Sequence, residues 1–115
     1  MNVKSIQQTL RQFALERDWD QFHSPKNLAS ALSVESAELL ELFQWLTEKE
    51  SLDITNGDQR QRVEQEMADV LLYLLRMADV LNVDLERAAI EKIQRNAEKY
   101  PVDLVRGNAT KYNRR

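Results

Sequence analysis

The chain has 115 residues, of which 43% are hydrophobic and 30% are charged, and its net charge at pH 7 is −3. This length suits one compact domain, which we expect to span residues 1–115, and the acidic balance argues against a nucleic-acid polymer as partner. The absence of cysteine excludes disulfides and thiolate chemistry, and no apolar run approaches the ~20 residues that a membrane span needs. We therefore expect a cytoplasmic protein without a membrane partner.

Two glycines and two prolines are few for this length. The common residues are those that lose least on entering a helix, so the composition predicts an all-α fold. Apolar side chains recur every three or four positions over residues 3–16, which predicts the first helix. The second helix is expected to begin with Ser24 as its N-cap and Pro25 at its first position, and to continue to about Thr47.

Residues 50–59 contain the most turn-like group of the chain, Asn56-Gly57-Asp58, and are predicted to be a connecting loop. A third helix is expected over residues 59–81. Asp84 can cap a fourth helix over residues 85–99, which Pro101 ends. Residues 101–115 are interpreted as a C-terminal tail, so the expected architecture is a four-helix bundle.

Carboxylates lie within the apolar stripes of the two longest helices. Each helical residue advances about 100° around the axis, which puts Glu35 in the middle of the second helix's stripe and Glu38 at its edge. Glu66 and Asp69 hold the same positions on the third helix. The apolar residues within about 40° of the central acids are Leu28, Leu39, Leu42 and Leu46 around Glu35, and Val70, Tyr73, Met77 and Val80 around Glu66.

Acids at such positions need protonation, basic partners or bound cations, because an isolated buried carboxylate is costly. Magnesium is the simplest answer, since it prefers carboxylate oxygens and commonly arrives with substrate phosphates. Two E-x-x-[ED] pairs on antiparallel helices could hold one or two such ions. Two alternatives stay open: solvated glutamates at the rim of a bundle, and a non-catalytic helical interaction module whose acids pair with basic groups of a partner.

The segments ESAELLELFQW and EQEMADVLLYLL, with RDWDQFHSPKNL and KIQRNAEKYP, resemble the motifs of the MazG-like all-α nucleoside triphosphate pyrophosphohydrolases, and most of all the dCTP pyrophosphatase branch. The resemblance implies hydrolysis of dCTP or a modified dCTP between the α and β phosphates, as nucleotide pool clean-up, with Mg²⁺ or Mn²⁺ as its substitute. It also implies Glu35, Glu38, Glu66 and Asp69 as metal ligands. Either Glu35 or Glu38 would orient or deprotonate the attacking water.

The remaining substrate contacts are expected from aromatic and polar side chains. Trp19, Phe22 and Trp45 resemble the family's aromatic wall around the base, although core packing is an open alternative for Trp45 and is expected for Phe13 and Phe43. His23 could hydrogen-bond the base or a phosphate, or be an ordinary surface residue. The other positions expected to contact substrate are Lys26, Asn27, Tyr73, Lys92 and Asn96, with Lys111 and Tyr112 of the tail reaching a neighbour's pocket.

One position departs from the family pattern. Leu10 stands where animal dCTP-specific members carry a histidine, so the reaction type is better supported than the preference for cytosine. A broader NTP or dNTP pyrophosphatase and a phosphoribosyl-nucleotide pyrophosphohydrolase are the enzymatic alternatives. Apolar positions predicted to face outward favour a dimer or a dimer of dimers. These positions are Val34, Leu40, Leu71 and Leu75.

Overall fold

The computed structural model describes residues 1–107, in which every regular element is helical. The six α-helices are α1 (Val3–Glu16), α2 (Pro25–Glu41), α3 (Glu48–Asp53), α4 (Arg60–Leu81), α5 (Leu85–Lys99) and α6 (Val102–Val105). Two single turns of 3-10 helix lie at Asp20–Phe22 and Ile54–Asn56. The chain is all-α, as its composition predicts.

The predicted helix starts are confirmed by their capping hydrogen bonds. The Ser24 hydroxyl accepts from the Asn27 backbone N–H at 3.2 Å, and Pro25 occupies the first turn of α2. A carboxylate oxygen of Asp84 accepts from the Arg87 N–H at 3.1 Å at the start of α5. Each cap satisfies a backbone donor that the first helical turn leaves without a partner.

The segment between the two longest helices differs from its prediction. α2 ends at Glu41, six residues before Thr47, and the chain continues in tight turns in which the Phe43 N–H donates to the Leu40 carbonyl at 2.9 Å. Thr47 then begins α3 with a capping box, because its hydroxyl accepts from the Glu50 N–H while the Glu50 carboxylate accepts from the Thr47 N–H. The predictions of one helix to Thr47 and of a plain loop over residues 50–59 are therefore wrong.

The contacts divide the chain into two units, and the first comprises Met1–Asn82. In this unit α4 packs against both α2 and α1. The buried apolar side chains come from all three helices: Ala14, Leu28, Val63, Leu75 and Ala78. The core is small, so the stripes around Glu35 and Glu66 are mostly half-buried, and Val80 is exposed.

Leu75 corrects one expectation about outward faces. It was predicted to face outward, but only 3% of it is exposed. The reason is that α1 covers this part of α4, where the Gln7 side-chain amide donates to the Leu75 carbonyl at 3.0 Å. Val34 and Leu40 are exposed as expected, and Leu71 is half-buried.

The second unit begins at Val83 and contains α5 and α6. It follows Asn82, which ends α4 in the left-handed conformation with φ 56°. α6 begins directly after Pro101, so the described part of the predicted tail is partly helical. Among the helices of residues 1–107, none is both long and apolar enough to cross a membrane.

Candidate functional site

Three of the four predicted acids converge between α2 and α4. Glu35 and Glu38 lie three positions apart on α2, a spacing that brings two side chains to one helical face, and Glu66 projects from α4. One carboxylate oxygen from each of the three lies within 4.8 Å of the other two. Because α2 and α4 pack against each other, the two helices hold these carboxylates together.

The electrostatics of this cluster favour protons or cations. Oε2 of Glu35 and Oε2 of Glu66 are buried and have no hydrogen-bond partner among the described residues. The pKa of Glu35 is raised to about 7, first by burial and then by the hydrogen bond and charge of Glu38. The charges of Asp69 and Glu66 add to this effect. Burial and the same acidic neighbours, Glu38 first, also raise the pKa of Glu66, and Arg62 opposes this only weakly.

Asp69 lies beside the cluster but not in the group of three. Its charge helps to raise the pKa values of both Glu35 and Glu66, and it also lines the neighbouring cavity. It therefore connects the carboxylates to the cavity. Its predicted role as a fourth metal ligand remains a prediction.

The cavity has a volume of about 340 Å³ and is open to solvent on one side. Leu10 and Phe13 of α1 line it, together with residues of α4 and of the segment between α1 and α2. The other lining residues are Trp19, His23, Asp69, Leu72, Tyr73 and Arg76. Aromatic walls with a few polar groups are typical of a site for a planar ligand such as a nucleobase.

Trp19 and Phe13 form the aromatic part of this wall. Their rings meet edge to face with centroids 5.6 Å apart, and the Arg17 guanidinium lies 3.5 Å from the centre of the Phe13 ring. Phe13 was expected in the core, but it is 45% exposed and lines the cavity. The expectation was wrong because the segment after α1 brings Trp19 against the Phe13 ring in the wall of an open cavity instead of burying the ring in the core.

A network that the sequence did not reveal begins at two residues of the cavity lining, Arg76 and His23. Arg76 of α4 is buried, with 8% exposed, and donates to Nδ1 of His23 at 3.1 Å and to Oδ1 of Asp20 at 2.7 Å. Asp79 pairs with Arg76 at 3.5 Å and accepts two hydrogen bonds from Arg11 of α1, at 2.7 and 3.1 Å. The one signal in the sequence was a single cation within the apolar run of α4.

The other predicted contacts lie outside this cavity lining. Phe22 is 58% exposed, and its carbonyl accepts from the Asn27 side chain at 3.0 Å. Lys26 is exposed, and Trp45 is 86% exposed, which makes the core-packing alternative for Trp45 wrong. Lys92 and Asn96 belong to α5 of the second unit. Lys111 and Tyr112 lie outside the described residues.

Comparison with known proteins identifies one family model and relatives that share one name. A family model described as MazG-like matches residues 30–114. The dCTP pyrophosphatase 1 of Rattus norvegicus is 44% identical over 111 residues, which are 96% of this chain and 65% of the rat protein. The Homo sapiens protein of the same name is 40% identical over the same shares of both chains. This chain thus spans somewhat less than two thirds of these relatives.

A solved structure matches almost from end to end. The crystal structure of a pyrophosphatase from Archaeoglobus fulgidus superposes with a TM-score of 0.82 and 39% sequence identity. The match covers 88% of this chain and 94% of the archaeal chain.

Proposed function

The chain belongs to the MazG-like family, and we propose that it is a nucleotide pyrophosphohydrolase that cleaves dCTP or a modified dCTP between the α and β phosphates. The products are the nucleoside monophosphate and pyrophosphate. The names of the relatives support this substrate, and the name of the archaeal protein supports the reaction. The observation that carries the proposal is the pair of buried oxygens of Glu35 and Glu66 without hydrogen-bond partners, beside Glu38.

The donor set fits Mg²⁺, with Mn²⁺ as its substitute. Glu35, Glu38 and Glu66 offer only carboxylate oxygens, the ligands that this hard cation prefers, and Asp69 is the proposed fourth ligand. When bound there, the cation neutralises charge on the phosphate oxygens and activates water. Unpartnered carboxylate oxygens that are buried together are otherwise unfavourable, so the cluster is better explained as a cation site than as a structural feature.

Side chains of the protein activate the water and bind the nucleotide in this proposal. Glu35 or Glu38 orients the water and accepts its proton as the new bond to the α phosphorus forms and the bond to the bridging oxygen breaks. Trp19 stacks on the base. Asp69 lines the cavity and its charge acts on Glu35 and Glu66, which supports one bound nucleotide reaching both the cavity and the carboxylates. The proposed further contacts are Phe22, His23, Lys26, Asn27, Trp45, Tyr73, Lys92, Asn96, Lys111 and Tyr112.

We also propose a homodimer or a dimer of dimers. Several large apolar side chains of α2 and of the turn after it are exposed, including Val34, Leu40 and Trp45. Apolar surface of this kind is favourable to bury against a second copy. Light scattering measures the mass in solution, and an active monomer would contradict this proposal.

One observation favours a broader substrate range as the second candidate. Leu10 lines the cavity and offers no hydrogen bond with which to choose between bases. A site that recognises a base mainly by stacking accepts several bases, because every base has a π face. The enzyme would then hydrolyse several dNTPs or NTPs at similar rates.

The test is a panel of dNTPs, NTPs and a phosphoribosyl-nucleotide, each incubated with the protein with and without Mg²⁺. We expect the products to be the monophosphate and pyrophosphate, formed fastest from dCTP and only when Mg²⁺ is present. Glu38→Gln should abolish them. Glu64→Gln is the matched control, because Glu64 lies on α4 but pairs with Arg60 on the exposed face. Absence of hydrolysis from every nucleotide would favour the interaction module.

A further inference from the structure

Arg76, which lines the cavity, places each of its three guanidinium nitrogens against a different neighbouring side chain. Nε lies 3.1 Å from Nδ1 of His23, and one terminal nitrogen lies 2.7 Å from Oδ1 of Asp20. The other terminal nitrogen lies 3.5 Å from Oδ2 of Asp79. The Arg76 side chain is only 10% exposed, so these contacts replace water almost completely.

This arrangement determines where His23 carries its proton. An arginine nitrogen can only donate, so Nδ1 of His23 must accept and cannot itself carry a hydrogen. Burial and then the charge of Arg76 lower the pKa of His23, with Asp20 opposing them. The neutral imidazole therefore predominates at pH 7, and because Nδ1 accepts from Arg76, the proton of this form belongs on Nε2.

His23 lines the cavity next to Trp19, whose ring centroid lies 6.3 Å away at a steep interplanar angle of 64°. A base stacked on Trp19 would therefore lie at a similarly steep angle to the His23 ring. Since Nδ1 is engaged by Arg76, Nε2–H is the ring donor left for a ligand.

We infer that Arg76 is a positioning residue, which fixes His23 as the Nε2–H tautomer so that His23 donates a hydrogen bond to an acceptor atom on the edge of the bound base. This rests on the proposed function, because it takes the ligand of the cavity to be a nucleotide. The acceptor is a ring nitrogen or a carbonyl oxygen of the base. Lysine cannot replace Arg76, because one ammonium does not offer three donors in a planar fork.

The same contacts hold the wall in place. Asp20 belongs to the turn after α1, and Asp79 is shared between Arg76 of α4 and Arg11 of α1. The network thus joins the three segments that line the cavity. Hydrogen bonds in which one partner is ionised are stronger than neutral ones, so Arg76 fixes the position as well as the protonation of His23.

The first test needs no variant and no activity. His23 is the one histidine of the chain, so long-range proton–nitrogen NMR spectra of the imidazole have a single set of signals. We expect the spectrum of the nucleotide-free protein at pH 7 to show an unprotonated Nδ1 and a protonated Nε2. A proton on Nδ1, or a rapidly exchanging mixture of tautomers, would overturn the inference even if the enzyme hydrolyses dCTP as proposed.

The second test uses the best nucleotide of the substrate panel. Arg76→Lys should release His23 to a mixture of tautomers in the NMR spectrum and raise KM roughly 3- to 10-fold with little change in kcat, as expected for the loss of one neutral hydrogen bond. His23→Ala should raise KM to a similar extent. His23→Gln should bring KM back towards the wild-type value, because the glutamine amide is a donor of similar reach. Arg60→Lys, on the exposed face of α4, is the matched control.

A double variant separates this role from simple support of the fold. If Arg76 acts through His23, Arg76→Lys should add little to the KM of His23→Ala. The inference would be contradicted if the increase in KM of the double variant equals the product of the two single increases, or if Arg76→Lys leaves KM unchanged. If no nucleotide is hydrolysed, the proposed function fails, while the NMR result still decides how Arg76 sets the tautomer.

Discussion

Oε2 of Glu35 on α2 and Oε2 of Glu66 on α4 are both buried, and neither has a hydrogen-bond partner within residues 1–107. Two helices that pack against each other thus bring together acids that repel. Buried carboxylates in such a position are unfavourable for folding, so the cluster lowers the stability of the metal-free protein. That relationship sets the first three predictions.

Neutralising single acids of the cluster should separate activity from stability. Glu38→Gln and Asp69→Asn are expected to abolish turnover because each removes a proposed ligand. In the absence of metal, the free energy of unfolding should be unchanged or higher, because each change relieves repulsion from Glu35 and Glu66. Urea titrations with a chelator measure it, and Glu64→Gln is the control. A marked loss of metal-free stability would count against a functional site.

Mg²⁺ should stabilise the folded protein through the same residues. A ligand that binds only the folded state raises its free energy of unfolding by about 1.4 kcal/mol at ten times its Kd. Thermal melts with increasing MgCl₂ should therefore shift upward for the wild type and for Glu64→Gln. Glu35→Gln and Glu66→Gln should reduce the shift. Equal shifts in all four proteins would show that the ion binds elsewhere.

The stability of the metal-free protein should fall as the pH rises towards neutrality. The pKa of Glu35 is raised from 4.5 to about 7 in the folded state, so between these values the folded protein holds more protons than the unfolded chain. The free energy of unfolding must then decrease with increasing pH across this window. The pKa of His23 is lowered from its ordinary value of 6.5. Just below pH 6.5 this residue therefore makes the free energy of unfolding increase with pH, opposite to the effect of Glu35. The measurement is therefore the difference between wild type and Glu35→Gln in urea midpoints, and the inference fails if both have the same pH profile.

The helices and acids were predictable because their signals are local. Residues 3–16 repeat apolar side chains at helical spacing, and Ser24-Pro25 and Asp84 are recognisable starts, so those bounds agree with the structure. A carboxylate in the middle of an apolar stripe, as at Glu35, is visible in one segment. The capping box at Thr47 is an equally local signal, because Thr47 and Glu50 have the T-x-x-E spacing that starts a helix.

Contacts between distant segments were not predictable in this way. Arg76 lies 53 positions from His23 and 56 from Asp20, and no periodicity within one helix specifies such pairs. Leu75 was misplaced for the same reason, since the wheel of α4 does not show that α1 covers it. Phe13 was assigned to the core from its spacing, although only the path of the next segment makes it a wall of the cavity.

Trp19 should contribute most of the binding energy for the base. Stacking of a base on an aromatic side chain is typically worth ~1–3 kcal/mol by alanine substitution, so Trp19→Ala should lower kcat/KM by roughly 5- to 150-fold. Trp19→Phe keeps an aromatic face and its contact with Phe13, and should lose much less. Steady-state kinetics with the best substrate of the panel measures both. Unchanged kinetics in Trp19→Ala would exclude this cavity as the base pocket.

Leu10 should control how well the enzyme distinguishes bases. It lines the cavity from α1, and an apolar side chain there can reject a base only by its shape. Leu10→His introduces a group that can hydrogen-bond, and discrimination by hydrogen bonds is sharper because the wrong partner leaves a buried polar group unpaired. We expect the ratio of kcat/KM for dCTP to that for dTTP to rise in Leu10→His. Leu15→His is the matched control, since Leu15 is on α1 but 61% exposed. An equal change in both variants, or a ratio that stays constant in Leu10→His, would show that this side of the cavity does not contact the base.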